Sequence, residues 1–210
     1  MINLGETIVK YNLKINCILH IGANYCQEQN EYLNIVSKDK IFWIEANPKI
    51  VDDIKQSNPD YNIYSALITD KNNEEVDFNI SSNNSLSSSI FEFEKHVINH
   101  PSIVMIQKIR LNTITLDTFM TENKIPYNPN LLVIDVQGAE YNVLMGGIKT
   151  LEHVDVILTE VNIDYTYKDC ILIDKLDNLL ELNGFTKVYQ YIWTDHTYGD
   201  AIYIKSNLVV

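Results

Sequence analysis

The sequence contains little cysteine, glycine and proline. Its three cysteines, Cys17, Cys26 and Cys170, lie far apart in the chain. They form no C-x-x-C pair and no spacing typical of zinc ligands. This pattern argues against a cysteine-based metal or redox site, and it favours a reducing compartment.

Basic residues are also scarce, because 16 Lys and Arg stand against 28 Asp and Glu, which leaves a net charge of −12. Only Lys108 and Arg110 form a small basic group, so the composition argues against nucleic acid as a partner. No stretch approaches the ~18 apolar residues that a bilayer crossing requires. The N-terminus also lacks the basic start and apolar run of a signal peptide. We therefore predict a cytoplasmic protein without a membrane span, whereas the oligomeric state, a homodimer included, is left open.

The apolar residues are arranged as short runs that alternate with helical patterns. At 210 residues the chain fits one domain, which we place at 1–210 with a core of about 17–205. Strands alternating with helices predict an α/β fold with a mostly parallel sheet that is covered on both faces. The strands are predicted at 17–21, 40–44, 61–68, 131–134 and 154–158, and the helices at 27–36, 48–56, 139–145 and 172–180. Residues 185–191 and 201–205 predict a C-terminal antiparallel hairpin at the sheet edge.

The middle of the chain has a different composition. Residues 75–80 alternate like an edge strand, and 81–89 consist almost wholly of Ser and Asn, which is typical of an exposed loop. Residues 104–115 alternate again, with Val104 and Ile106 among the positions expected to face inward. We interpret residues 74–115 as an insertion that faces the substrate.

Acidic residues and a glycine turn follow the predicted strands. Gly22, Glu45, Asp135 and Glu160 stand at four strand ends, which is where open α/β sheets bind ligands. Glu45 follows Gly22 by 23 positions, and an acid there accepts hydrogen bonds from the ribose of a nucleoside.

The turn also indicates which nucleoside is bound. It reads Gly22-Ala23-Asn24-Tyr25 and lacks the further glycines that let a backbone approach a pyrophosphate. S-adenosylmethionine carries no phosphate, and its sulfonium and ammonium groups favour acidic surroundings. The sequence therefore favours this methyl donor as the cofactor over NAD.

Four blocks resemble the FkbM-type methyltransferases. They are His20-Ile21-Gly22-Ala23-Asn24, Glu45-Ala46-Asn47-Pro48, Leu116-Asp117-Thr118-Phe119 and Val133-Ile134-Asp135-Val136-Gln137-Gly138-Ala139-Glu140. The resemblance spans about residues 17–205. It implies a Rossmann-like, seven-stranded class I methyltransferase fold and O-methylation of sugars or of polyketide-type natural products.

Two positions depart from the family's usual pattern. His20 stands where an acid is common, and Gln137 stands where Glu is common. Both changes remove a carboxylate. The first leaves the contact to the ammonium group of the donor to be supplied elsewhere, and the second weakens the case for a divalent metal, so no metal is predicted.

These arguments assign the candidate site residues. For removal of the hydroxyl proton, Asp135 is the first candidate base and Glu160 the alternative, and His196 could titrate near neutrality. The candidate substrate contacts are Ser88, Ser89 and Asp200. The candidate donor-binding residues are His20, Gly22, Ala23, Asn24, Glu45, Ala46, Ala66 and Asp135.

The leading hypothesis is therefore an S-adenosylmethionine-dependent O-methyltransferase that acts on a hydroxyl of a sugar or glycan. O-methylation of a small natural product is an alternative within the same enzyme class. An inactive nucleoside-binding domain is a second alternative, because two carboxylates are missing. A dinucleotide-dependent oxidoreductase is disfavoured by the missing glycines.

Overall fold

The computed structural model describes residues 4–125 and 128–209. Its strands are β1 (Ile18–Ile21), β2 (Ile41–Glu45), β3 (Asn62–Ser65), β4 (Leu67–Thr69), β5 (Glu75–Ser81), β6 (Met105–Thr115), β7 (Leu131–Ile134), β8 (Val156–Asn162), β9 (Phe185–Ile192) and β10 (Tyr198–Lys205). Its α-helices are α1 (Leu4–Lys10), α2 (Gln29–Tyr32), α3 (Pro48–Ser57), α4 (His96–Asn99), α5 (Leu116–Asn123), α6 (Glu140–Met145) and α7 (Ile173–Leu182).

Seven strands form the main sheet in the order β3-β2-β1-β7-β8-β10-β9. The pairs from β3 to β8 are parallel, whereas β10 runs antiparallel to both β8 and β9. The strand order reverses between β1 and β7, which is the position where open α/β sheets bind ligands. The predicted mostly parallel seven-stranded sheet with an antiparallel C-terminal hairpin is confirmed.

The central strands are buried on both faces, which explains why they read as continuous apolar runs. Every residue of β1, β2 and β7 is buried. One face packs against α5, α6 and α7 through residues such as Phe119, Leu144 and Leu180. The other face packs against α3 through Ile50 and Ile54, with Leu4 of α1 in the same cluster. The polar strand ends are thereby left at one edge of the sheet.

Two predicted elements differ in the structure. The helix predicted over 27–36 is a single turn, Gln29–Tyr32, because Asn24 and Cys26 just before it adopt left-handed φ values of 42° and 54°. These residues direct the chain through turns and leave little length for a helix. The strand predicted over 61–68 is divided at Ala66, and its second part, β4, belongs to another sheet.

That second sheet has the order β4-β6-β5, and its strands β5 and β6 lie within residues 74–115. The prediction that Val104 and Ile106 face inward is wrong, since they are 52% and 64% exposed. The register of β5 against β6 shifts between Ile80 and Ser81, opposite this part of β6. A bulge leaves one residue unpaired and interrupts the alternation of the strand at that point, whereas farther along β6 Thr113 is buried.

The Ser/Asn segment 81–89 is a loop, as its composition predicted, but only part of it is exposed, namely Ser82, Asn84 and Leu86. Ser87, Ser88 and Ser89 are only 7%, 8% and 1% exposed. Their polar atoms find partners inside the protein, as when the Ser81 backbone N–H donates to Ser88 Oγ at 3.0 Å. Hydrogen bonds of this kind allow polar side chains to be buried.

Candidate functional site

The turn after β1 requires glycine at its first position. Gly22 has a φ of +87°, and a Cβ placed on it would lie 1.7 Å from the carbonyl oxygen of Asp135. The N–H groups of Gly22 and Ala23 both donate to the Ile44 carbonyl, at 2.9 and 3.0 Å. The ends of β1, β2 and β7 are thus held within direct contact of one another.

Glu45 joins the first two strand ends. Its Oε2 accepts a hydrogen bond from the Asn24 N–H at 2.8 Å, and its Oε1 accepts one from the Asn47 N–H at 2.7 Å. The residue is 6% exposed. Burial raises the pKa of Glu45, and the N–H donors of Asn47 and Asn24 oppose that rise. The carboxylate is therefore fixed in one orientation at the end of β2.

The Ser/Asn segment lies over this turn. Asn24 donates through Nδ2 to the Asn84 carbonyl at 3.0 Å, and Asn47 donates through Nδ2 to Ser85 Oγ at 3.2 Å. Asn84 and Ser85 both have left-handed backbone conformations. The two hydrogen bonds connect the insertion to both strand-end turns of the main sheet.

These elements enclose a cavity, called the first cavity, of about 760 Å³ that is partly open to solvent. Gly22, Ala23, Asn24 and Glu45 line one part of it. An apolar part is lined by Ala46, Ala66, Leu67, Ile68, Phe78 and Ile90. Among the described residues that line the first cavity, none is Lys or Arg, so the cavity suits an uncharged or positively charged ligand.

A second cavity, also of about 760 Å³, adjoins the first. It lies between the N-terminal helices and strands β7, β8 and β10, and Leu4, Leu158 and Thr159 are part of its wall. Three residues, His20, Glu28 and Asp135, line both cavities. Two ligands bound in these cavities would therefore meet beside Asp135.

His20 is a buried neutral ring. It is 4% exposed, lies with its ring centroid 5.1 Å from that of Trp43, and has its Nδ1 3.0 Å from Tyr32 Oη. Burial lowers the pKa of His20 to about 3. Its Nδ1 is 3.8 Å from Glu28 Oε2, but a neutral imidazole does not compensate the Glu28 charge. The Glu28 carboxylate, which the sequence analysis did not single out, is left to face both cavities.

Asp135 and Glu160 are connected by Gln137. The Gln137 side chain donates through Nε2 to Asp135 Oδ1 at 2.5 Å and to Glu160 Oε2 at 3.2 Å. Its Oε1 accepts a hydrogen bond from the buried Tyr167 hydroxyl at 2.5 Å. Position 137 thus supplies a neutral donor between two carboxyl groups, where a third carboxylate would repel both.

Glu160 is the most strongly perturbed carboxyl group here. It is 7% exposed, and its Oε1 has no hydrogen-bond partner among the described residues. Burial, reinforced by the nearby Glu140, Asp135 and Asp200 carboxylates, raises the pKa of Glu160 well above its usual range. Burial also raises the pKa of Asp135, although this side chain faces the cavities.

Asp200 lies directly opposite Glu160 in the β10–β8 pairing and lines the second cavity. Burial, together with the Asp135 charge, raises the pKa of Asp200 to about 6. A carboxyl group whose pKa lies near neutrality is suited to accept a proton. The structure therefore brings Asp135, Glu160 and Asp200 together, as three acids around one cavity.

Glu140, quoted in the sequence only as part of a block, has a structural position. It is 2% exposed, and its Oε1 accepts hydrogen bonds from the N–H groups of Val136 and Gly138, at 3.1 and 3.0 Å. Burial raises its pKa to about 7. These bonds fix the turn that carries Asp135 and Gln137.

Three residues predicted from the sequence to contact the substrate or to take part in catalysis do not line the second cavity. His196 is not among the described residues that line either cavity, and its ring lies 5.3 Å from that of His100 and 5.2 Å from that of Tyr198. Ser88 lines the first cavity, whereas it was assigned to the substrate. Ser89 is buried and donates through Oγ to the Gln137 carbonyl at 2.7 Å, so it supports the turn that precedes α6.

The described residues contain no cluster of His, Cys, Asp or Glu arranged to hold a metal ion. Within 4–125 and 128–209, no helix combines the length and the apolar character needed to cross a membrane.

Comparison with solved structures defines the fold class. A S-adenosylmethionine-dependent methyltransferase from Clostridium acetobutylicum matches with a TM-score of 0.53 at 6% identity, covering 96% of this chain and 88% of that chain. The magnesium protoporphyrin IX methyltransferase from Synechocystis matches with a TM-score of 0.52 at 7% identity, covering 96% of this chain and 76% of that chain. At such identities the likeness shows a Rossmann-like methyltransferase fold and nothing finer.

The sequence defines the family. The profile of the methyltransferase FkbM domain matches residues 16–189, and the chain therefore belongs to the FkbM methyltransferase family. A relative named 2-O-methyltransferase NoeI, from Sinorhizobium fredii, is 26% identical over 160 residues, which are 72% of this chain. The alignment spans 65% of the length of that relative. The predicted family is confirmed.

Proposed function

We propose that the protein is an S-adenosylmethionine-dependent O-methyltransferase with the donor in the first cavity and the acceptor hydroxyl in the second. The observation that carries this proposal is the junction of the two cavities at His20, Glu28 and Asp135. Methyl transfer requires the donor methyl and the acceptor oxygen to be about 3–3.5 Å apart. Two cavities with a shared wall permit that approach.

The lining of the first cavity supports its assignment to the donor. Glu45 would accept hydrogen bonds from the ribose hydroxyls, since each of its oxygens has a lone pair beyond the one used by a backbone N–H. The apolar part around Ala66 and Phe78 would hold the adenine. Glu28 and Asp135, on the side toward the second cavity, would face the ammonium and sulfonium groups. Glu28 thus replaces the acid that His20 does not provide.

The reaction requires a group of the protein to receive the proton of the acceptor hydroxyl. The donor supplies an electrophilic methyl group, and the acceptor hydroxyl loses its proton as the new bond forms. Asp135, at the junction of the cavities, is our first candidate to receive that proton. Glu160 is the alternative, but its raised pKa means that it must first lose a proton of its own. Gln137 holds the two carboxyl groups in a fixed relation through its Nε2.

For the acceptor we propose a sugar or glycan hydroxyl. Support comes from the relative named as a 2-O-methyltransferase and from the polar wall of the second cavity, which includes Thr159, Glu160 and Asp200. We also propose that the chain is a single methyltransferase domain in which the insertion at 74–115 covers the donor. The hydrogen bonds from Asn24 and Asn47 to the Ser/Asn segment support that role.

The test is calorimetric titration with S-adenosylmethionine, followed by the variant Glu45→Gln. We expect saturable binding by the unmodified protein and roughly 10- to 100-fold weaker binding by Glu45→Gln, because hydrogen bonds from the ribose to a charged acceptor are lost. Glu122→Gln, an exposed acid of α5, is the matched control. Circular dichroism verifies that both variants fold. No heat at millimolar donor would refute the proposal.

A further inference from the structure

The second cavity has a strongly acidic wall. Among the described residues that line it, none is Lys or Arg. The lining carboxylates are Glu28, Glu31, Asp135, Glu160 and Asp200. A cavity lined by charges of one sign, with protein of low dielectric around it, repels ligands of that sign and concentrates ligands of the opposite sign.

Two of these acids are placed in an arrangement that costs stability. Glu160 and Asp200 are directly opposite each other on antiparallel strands, where two like charges are destabilising, and the raised pKa of each group shows that ionisation of both together is disfavoured. Glu160 is 7% exposed, with its Oε1 lacking a hydrogen-bond partner among the described residues. A positively charged ligand beside Glu160 and Asp200 would favour the ionised form of both groups.

The methyl donor does not account for these acids. Glu31, Glu160 and Asp200 line the second cavity but are not among the residues that line the first. The proposed contacts to the donor's ammonium and sulfonium groups use Glu28 and Asp135, which line both. Three carboxyl groups therefore remain for the second ligand alone.

We propose that the second cavity takes an acceptor that carries a protonated amino group beside its hydroxyls, as amino sugars do, and that it rejects phosphorylated or carboxylated acceptors. Glu160 and Asp200 would accept hydrogen bonds from the ammonium group, while Glu31 would add to the attraction from the mouth of the cavity. An anionic acceptor would meet the same carboxylates as repulsion. This inference rests on the proposed function, and it narrows the acceptor to one class of hydroxyl compound.

The experiment compares the binding of D-glucosamine, N-acetyl-D-glucosamine and D-glucuronic acid to the full chain saturated with S-adenosylhomocysteine. N-acetylation removes the positive charge and keeps the hydroxyls, and glucuronic acid introduces a negative charge. We expect glucosamine to bind at least about tenfold more tightly than N-acetylglucosamine, because charge-assisted hydrogen bonds are lost with the charge. Glucuronic acid should bind most weakly.

Variants assign the preference to the cavity wall. Asp200→Asn should reduce the preference for glucosamine, and Glu31→Gln, at an exposed position, does so without a risk to folding. Asp174→Asn removes an exposed acid of α7 that is not among the lining residues, and it should leave the preference unchanged. Equal reductions in all three variants would point to net charge and overturn the assignment.

The result can be separated from the proposed function. Titration with S-adenosylhomocysteine alone tests the donor site, and its failure refutes the proposed function whatever the sugars do. If the donor product binds while glucosamine shows no preference over N-acetylglucosamine, or no binding at millimolar concentration, the acceptor class is overturned and the donor site stands.

Discussion

Gln137→Glu tests whether the site depends on a neutral donor between its two carboxyl groups. The substitution replaces the side-chain amide nitrogen by an oxygen. The backbone φ of 58° at this position imposes the same strain on Gln and on Glu. Three carboxyl groups would then lie within hydrogen-bond distance. They cannot all be ionised, and at least one must take up a proton.

The magnitude follows from the distances. Gln137 Nε2 is 3.2 Å from Glu160 Oε2, and two unit charges at that separation repel by about 5 kcal/mol at an effective dielectric constant of about 20. This is an upper limit, because the raised pKa of Glu160 favours its uncharged form. Proton uptake limits this cost when the pH is low. We therefore expect Gln137→Glu to lower the free energy of unfolding by about 3 kcal/mol at about pH 8 and by about 1 kcal/mol at about pH 5.

Urea unfolding at the two pH values measures this difference. Gln137→Met, which removes the donor without adding charge, is the control. Its destabilisation should differ much less between the two pH values than that of Gln137→Glu, because it removes the hydrogen bonds to Asp135 and Glu160 without adding a charge. If Gln137→Glu shows the stability of the unmodified protein at about pH 8, the electrostatic reasoning is refuted.

Two further predictions concern the stability effects of substitutions at Glu140 and Gly22. Burial raises the pKa of Glu140 to about 7. The contribution of this group to folding stability is therefore complete below its usual pKa and is lost as the pH rises through about 7. Glu140→Gln keeps the Oε1 acceptor, and its unfolding free energy should exceed that of the unmodified protein by about 2 kcal/mol at about pH 8, with no gain at about pH 4. A gain that is equal at both pH values would contradict this. Gly22→Ala should lose about 3 kcal/mol or more in thermal or urea unfolding because its Cβ meets the Asp135 carbonyl at 1.7 Å, whereas Gly184→Ala, with a φ of +80° and no atom within 4 Å, should lose only about 1 kcal/mol. Equal losses would show that backbone strain, and not the clash, governs position 22.

The sequence predicted the main sheet because local signals agree there. The runs that became β1, β2 and β7 are apolar apart from His20 in β1 and Glu45 at the end of β2, and each is followed by, or ends on, a glycine or an acid. Parallel strands place such residues at one edge. The structure accordingly places Gly22, Glu45 and Asp135 around the first cavity.

The rest depends on contacts between distant parts of the chain. The burial of Ser87–Ser89 follows from hydrogen bonds across the insertion and to the Gln137 carbonyl, and a polar composition carries no sign of them. Glu28 lies within a segment that was read as a helix, and only the left-handed turn at Asn24 and Cys26 brings it to both cavities. His196 was a candidate because its ring is titratable, but nothing in the sequence around it indicates that the ring lies away from the two cavities.

The hydrogen bonds that hold the Ser/Asn segment over the first cavity join neutral groups, an amide to a carbonyl and an amide to a hydroxyl. Mobile ions screen interactions between exposed charges and have little effect on such dipoles. In the proposed enzyme, opening of the Ser/Asn segment over the first cavity would therefore be nearly independent of ionic strength. Capture of a cationic acceptor by the carboxylates of the second cavity would weaken as salt is added. Added salt would thus weaken ligand capture while leaving the opening of this segment nearly unchanged.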